Sequence, residues 1–261
     1  MKPGPDQLYE CPKCSNRIQR GSMMSGNTFG ARLYSDGRMD APMMPSYPNL
    51  IACNRCRELL WLDRMKPIAY SMPDFLLDDN SDSDGMHPWG NVQIANEMTI
   101  PVANRILQTL KPEFAVEEYY IRRKLWWGYH ERIDPATGKW KNSTGGRHDF
   151  IYSVQLHEKD HELYEANCRA LITQTERQLH NWGLLAADDD LKAEGSLLDE
   201  LRSEKFYNST FTLCELHRNL GEFEQAESVL ARVSDESYAS TVEQFMAAIA
   251  RRDKYPFLFD E

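Results

Sequence analysis

Hydrophobic and polar positions follow two rhythms along this chain, and the rhythm changes near residue 100. Up to about residue 70 the apolar residues come in runs of two to five, each bounded by turn-forming residues, which predicts short strands. Leu8-Tyr9 leads into Cys11, and Ala31-Arg32-Leu33-Tyr34 alternates before Ser35-Asp36-Gly37. Asn49-Leu50-Ile51-Ala52 leads into Cys53, and Leu59-Leu60-Trp61-Leu62 follows Cys56. The Asp36-Gly37 step signals a hairpin, because both residue types tolerate positive φ. Pro42, Pro45 and Pro48 forbid a helix in the stretch between the cysteines.

From Ile100 onward the apolar spacing becomes helical. Pro101 suits a first helical turn, with Ile106 and Leu110 following at spacing four. The pattern predicts further helices over 112–127, 152–181, 190–202, 207–220, 222–233 and 238–252, with a turn-rich loop over 135–146. The expected fold class is therefore a small β module over 1–70 followed by an all-α domain over 100–261. Between them, residues 71–99 hold Pro73, an Asp/Ser/Asn cluster and His87-Pro88-Trp89-Gly90, which reads as an acidic linker.

Charge sharpens that division. The net charge of -10 splits into +4 over 1–70, -6 over 71–100 and -8 over the remainder. A positive head, an acidic bridge and an acidic body fit two folded units. The overall acidity argues against a generic polyanion binder, since phosphate neutralisation needs clustered Lys and Arg. No apolar run approaches the roughly 18 residues that a bilayer span requires. The N-terminal stretch has no apolar segment of a secretory signal, so a cytoplasmic location is expected, with no membrane partner.

The clearest chemistry is in the cysteines. Of six, four stand as two C-x-x-C pairs, Cys11/Cys14 and Cys53/Cys56, while Cys168 and Cys214 lie singly in helical segments. A C-x-x-C turn brings two sulfurs within chelating distance, and two such turns supply the four thiolates that Zn²⁺ prefers. Free thiols, a rubredoxin-like iron site and a redox pair are the competing readings. Four thiolates on one dication leave a formal charge of about -2, which Lys13, Arg17, Arg55 and Arg57 would offset.

The pairs and their flanking strands resemble a zinc ribbon, with a hairpin around Asp36-Gly37 accounting for the long gap between them. In such turns Gly often follows the second cysteine; here Ser15 and Arg57 stand there. The resemblance implies one structural Zn²⁺ per chain, closed to water and hence not catalytic. Leu220-Gly221-Glu222-Phe223-Glu224-Gln225-Ala226, with Leu230 beyond, resembles the second half of a tetratricopeptide repeat, implying one helical hairpin at about 207–233. A stable array needs about three repeats, so a single repeat-like hairpin inside a helical domain is expected. The whole arrangement resembles bacterial proteins that carry an N-terminal cysteine module and a helical-repeat tail.

Three further motifs compete with that picture. His157-Glu158-Lys159-Asp160-His161 matches H-E-x-x-H, in which a helix presents two imidazoles for a second metal site and Glu158 as general base. Lys159, Asp160 and Glu162 occupy positions where zinc peptidases keep uncharged residues, so His157 and His161 read better as the rim of the stripe containing Tyr164, Cys168 and Leu171. Asn80-x-Asp82-x-Asp84-Gly85 resembles the start of a calcium loop but lacks its closing Glu, Asn91 standing there. The run Tyr119–Trp127 mixes aromatic and basic residues, either as a nucleic-acid platform or as a helix with buried rings. The weight of these residues favours a non-enzymatic, zinc-stabilised adaptor or scaffold whose helices bind a protein partner. A zinc metallopeptidase and a nucleic-acid-binding accessory protein are the alternatives.

Overall fold

A computed structural model of the chain describes residues 2–44, 47–71, 92–109, 115–132, 158–187 and 196–259. It divides into two compact units. The first comprises residues 1–31 and 40–102, and the second comprises 32–39 and 103–261.

The first unit is built of small sheets. Strands β1 (Lys2–Pro3), β2 (Asp6–Glu10), β3 (Arg17–Arg20) and β4 (Met23–Ser25) precede the 32–39 segment, with β1 paired to β4. After it come β7 (Leu50–Ala52), β8 (Leu59–Trp61), β9 (Ala69–Ser71) and β10 (Gln93–Ile94); β5 (Arg32–Leu33) and β6 (Met39–Asp40) flank the excursion itself. The main sheet has the order β10-β3-β2-β9, antiparallel except where β10 runs parallel to β3. The β7–β8 hairpin is a separate two-stranded sheet. Tyr9, Ile18, Ile51, Leu60 and Leu62 form a dry core with Cys11 and Cys53. It is a small core, of the kind that usually needs a metal or disulfide to hold it.

Six helices follow among the described residues: α1 (Ile100–Thr109), α2 (Ala115–Arg132), α3 (Glu158–Ala187), α4 (Ser196–Leu220), α5 (Phe223–Leu230) and α6 (Ala239–Ala250). On α2 the buried Ile121, Leu125, Trp126 and Tyr129 recur at helical spacing. On α3 the stripe is Tyr164, Cys168, Leu171, Thr175 and Leu179. The C-terminal half of α4 is different. Leu213, Cys214, Glu215, Leu216, Arg218 and Asn219 are all buried, so this helix is enclosed around its circumference.

Some elements fall elsewhere than the pattern places them. The two helices expected over 190–202 and 207–220 are one, α4; no Gly or Pro stands between them to break it. The last part of the expected 71–99 linker enters the first unit, where Gln93–Ile94 extends the main sheet. The rest of that stretch, 72–91, lies outside the described residues, together with the calcium-like loop. The Asp36-Gly37 hairpin forms, but with the second unit, to which residues 32–39 belong.

The α4–α5 connection is tight. Gly221 has φ of 78°, and the Glu222 N–H donates to the His217 carbonyl at 2.9 Å. A left-handed residue at this point closes a helix, a geometry that glycine adopts without cost. Ala226 is fully buried on α5, where its small side chain permits close helix approach.

Candidate metal centre

Two chemically equivalent turns build the site. In the first, Cys11 N–H donates to the Asn16 carbonyl and Ser15 N–H donates back to the Cys11 carbonyl, each at 2.9 Å. In the second, Cys53 N–H donates to the Glu58 carbonyl at 2.8 Å and Arg57 N–H to the Cys53 carbonyl at 2.9 Å. Each turn sits at the tip of a hairpin, β2–β3 or β7–β8. The chain reverses through a left-handed residue directly after the second cysteine: Ser15 at φ 56° and Arg57 at φ 64°. Side chains adopt that region at a cost of roughly 1–2 kcal/mol. The turn requires the conformation even though neither position is Gly.

The two turns face each other and bring their thiols together. Cys11 Sγ lies 3.5 Å from Cys56 Sγ, and Cys14 Sγ lies 3.6 Å from Cys53 Sγ. All four sulfurs fall within 4.8 Å of one another. A Zn²⁺ ion with Zn–S bonds of about 2.3 Å requires tetrahedron edges of about 3.8 Å, so this set fits a metal of that size with movements of a few tenths of an ångström to an ångström. Cys11 and Cys53 are fully buried, while Cys14 and Cys56 are half-buried. Burial raises the Cys53 thiol, but the backbone N–H groups of Cys56 and Arg55 and the neighbouring thiols outweigh it and bring the group to about 7. The other three titrate above the ordinary thiol value; burial is the main cause for Cys11 and Cys14.

The surrounding charges are partly spoken for. Lys13 Nζ pairs with Glu58 Oε2 at 3.0 Å, bridging the turns at the surface, and Arg55 Nη1 donates to the Cys14 carbonyl at 3.2 Å. Arg17 and Arg57 are exposed.

Gln93 has no counterpart in the sequence reading. Its Oε1 accepts from Asn54 N–H at 2.8 Å and from Asn16 Nδ2 at 3.0 Å, and its Nε2 donates to the Ala52 carbonyl at 3.0 Å. One amide thereby joins the turn of the first cysteine pair to that of the second. Only pairing of β10 with β3 carries Gln93 to this place, and nothing local to residue 93 announces it.

Among the described residues these four cysteines are the one group of three or more metal-ligating side chains. Cys168 and Cys214 are buried singly in helices, and burial pushes both thiols well up. Of the H-E-x-x-H residues, His157 lies outside the described residues, Glu158 opens α3, and His161 is exposed. Among the described residues of α3 the first buried one is Tyr164.

The aromatic-basic run forms part of α2. Trp126 is fully buried, and its Nε1 donates to Asn219 Oδ1 at 3.0 Å. The Trp127 ring is flanked by cations of its own helix, with Arg123 at 4.7 Å and Lys124 at 5.5 Å from its centroid. Trp127 Nε1 donates to the Asp36 carbonyl at 3.0 Å. Tyr119, Tyr120 and Trp127 are half-buried, whereas Trp126 is enclosed.

No family model, curated protein or solved structure matches this chain. No described helix is long and apolar enough to cross a membrane.

Proposed function

We propose that the protein is a non-enzymatic adaptor whose N-terminal module is held by one structural Zn²⁺ and whose helical unit binds a protein partner. The observation that carries this reading is the convergence of four thiols, all within 4.8 Å, from two matching turns. Cys11, Cys14, Cys53 and Cys56 would hold the ion. With four protein ligands a tetrahedral zinc keeps no open position for water, so it stabilises the fold and does not activate a nucleophile. The paired turns at hairpin tips support likening the module to a zinc ribbon. The Gly221 reversal and the buried Ala226 support likening α4–α5 to a tetratricopeptide hairpin. Its outer face on α5 carries exposed Glu224, Gln225 and Glu227, an acidic surface suited to a basic peptide segment.

The first test is elemental analysis of the purified protein with Cys53→Ser beside it. One zinc per chain in the native protein and none in the variant is the expected result. Iron, or no metal in either, removes the zinc reading. The adaptor role is tested by cross-linking the zinc-loaded protein in cells and repeating it with Glu224→Lys/Glu227→Lys. A defined partner lost in the charge-reversed variant is expected; no partner, or one retained unchanged, counts against that face.

A further inference from the structure

The four thiols of the first unit meet across the gap between their two turns. Cys11 Sγ lies 3.5 Å from Cys56 Sγ and Cys14 Sγ lies 3.6 Å from Cys53 Sγ, so every thiol of the site has a contact partner in the opposite turn. Each contact joins unlike members. Cys11 and Cys53 are fully buried, whereas Cys14 and Cys56 are half-buried. One sulfur of each contact therefore meets solvent, and the other stands behind it, closed to solvent and within reach.

Bonds that involve no sulfur hold the turns in this register. The Gln93 amide joins Asn16 of the first turn to Asn54 and Ala52 of the second. Asn16 Nδ2 also donates to Asn54 Oδ1 at 3.0 Å. Lys13 pairs with Glu58, and Arg55 donates to the Cys14 carbonyl. All of these cross from one turn to the other independently of any ion, and they keep the opposed sulfurs close whether or not a metal lies between them.

An accessible thiolate beside a second thiol is the arrangement that a two-electron oxidant converts to a disulfide, through a sulfenic acid on the exposed sulfur. A disulfide needs an S–S distance of about 2.05 Å, so the contact partners must close by about 1.5 Å. A bond within either C-x-x-C pair would tie a turn to itself and leave the two turns unlinked. Bonds between contact partners join positions 45 and 39 residues apart and so tie the β2–β3 hairpin to the β7–β8 hairpin.

We propose that the four-cysteine site is also a site of oxidation by hydrogen peroxide: Cys14 and Cys56 react, Cys53 and Cys11 resolve them, and the disulfides Cys14–Cys53 and Cys11–Cys56 replace the ion as the link between the turns. The release of zinc rests on the metal reading above, whereas the pairing rests on the placement of the thiols. The Cys14 thiolate forms an S–O bond as the peroxide O–O bond breaks, and hydroxide leaves. The Cys53 thiolate then forms the S–S bond as that S–O bond breaks, and a second hydroxide leaves. The two sulfurs give up two electrons, and the peroxide takes them. Cys56 and Cys11 repeat these steps with a second peroxide. Four thiolate charges end on four hydroxides, so the dication loses its ligands and departs.

The sequence makes the pairing readable, since Lys13 stands between Cys11 and Cys14 and Arg55 between Cys53 and Cys56. Trypsin cuts between the members of each pair, so every possible disulfide yields its own set of linked peptides. The full zinc-loaded chain is treated with hydrogen peroxide while a colorimetric chelator reports released zinc. Remaining thiols are then blocked with N-ethylmaleimide in denaturant, and the non-reduced tryptic digest is read by mass spectrometry. Loss of the bound zinc for about two peroxides per chain is expected, with Cys11–Cys56 and Cys14–Cys53 as the main linked products. The fully buried Cys168 and Cys214 should be recovered as blocked thiols. A sulfenic-acid probe added with limiting peroxide should label Cys14 and Cys56; label on Cys11 and Cys53 instead reverses the assigned roles. Disulfides within the C-x-x-C pairs, sulfinic acids without disulfides, or four thiols that survive excess peroxide overturn the proposal. A preparation that holds no metal yet yields the two cross-turn disulfides removes the zinc reading and leaves the pairing standing. One that binds zinc but links each pair internally does the reverse.

Discussion

His130 Nδ1 donates to Asp36 Oδ2 at 2.7 Å, with the two side chains 1% and 0% exposed. Burial alone would raise the Asp36 carboxyl, but the hydrogen bond and charge of His130, with help from Arg38, outweigh it and hold the group below the ordinary carboxylate value. An ionised carboxylate only accepts, so His130 must carry its proton on Nδ1. The Tyr164 hydroxyl at Nε2 completes a relay that ties the hairpin to α2 and α3.

Asp36→Ala should therefore destabilise the helical unit by roughly 3–5 kcal/mol, the cost of leaving one partner of a buried pair alone. The pH dependence has a definite sign. A carboxyl depressed on folding contributes stability that is fully present above its unfolded value of about 3.9 and is lost as pH falls through the lower folded value. Acid titration of unfolding should show this component in the native protein and not in Asp36→Asn. An acid limb of equal steepness in both would show that Asp36 is not its source.

Ser15 and Arg57 occupy the left-handed region that the two cysteine turns demand. Ser15→Gly and Arg57→Gly should each stabilise the first unit by about 0.5–1 kcal/mol, after allowing for glycine's extra freedom in the unfolded chain. Arg57→Val should destabilise it by more than that. Thermal denaturation of the zinc-loaded protein checks both directions, and a loss of stability in the glycine variants would contradict the turn argument.

Gln93→Ala removes three hydrogen bonds that span the two turns. A net contribution of about 1 kcal/mol per bond puts the loss at roughly 1–3 kcal/mol. Zinc should exchange faster with a colorimetric chelator in this variant, while the helical circular dichroism signal persists. Release at the native rate would mean the bridge is incidental.

The double variant His157→Ala/His161→Ala should retain the native zinc content and leave peptide hydrolysis at background. His161 is exposed on α3, beside Lys159, Asp160 and Glu162 in sequence, and desolvating such charges around a metal pocket costs several kcal/mol each. If the native protein cleaves a peptide library and the variant loses both that activity and one zinc, the adaptor reading fails.

The sequence by itself determines the features whose physics is complete within a few residues. A C-x-x-C turn presents two sulfurs wherever it stands, so Cys11, Cys14, Cys53 and Cys56 announce a four-thiolate site without reference to the fold. Asp36-Gly37 specifies a reversal, and helical spacing marks the stripes of α2 and α3, because both are local backbone and burial preferences. What the hairpin packs against is another matter. Asp36 and His130 are 94 residues apart, Gln93 reaches turns about 40 and 77 residues away, and Trp126 meets Asn219 across 93 residues. Each is an ordinary polar residue until packing removes its water, and only then must it find the partner that the folded chain has brought beside it. The enclosed end of α4 follows the same logic. Glu215, Arg218 and Asn219 are polar by type, yet they are buried, and their partners include one another and the carbonyls of Lys254 and Tyr255, which no local pattern could name.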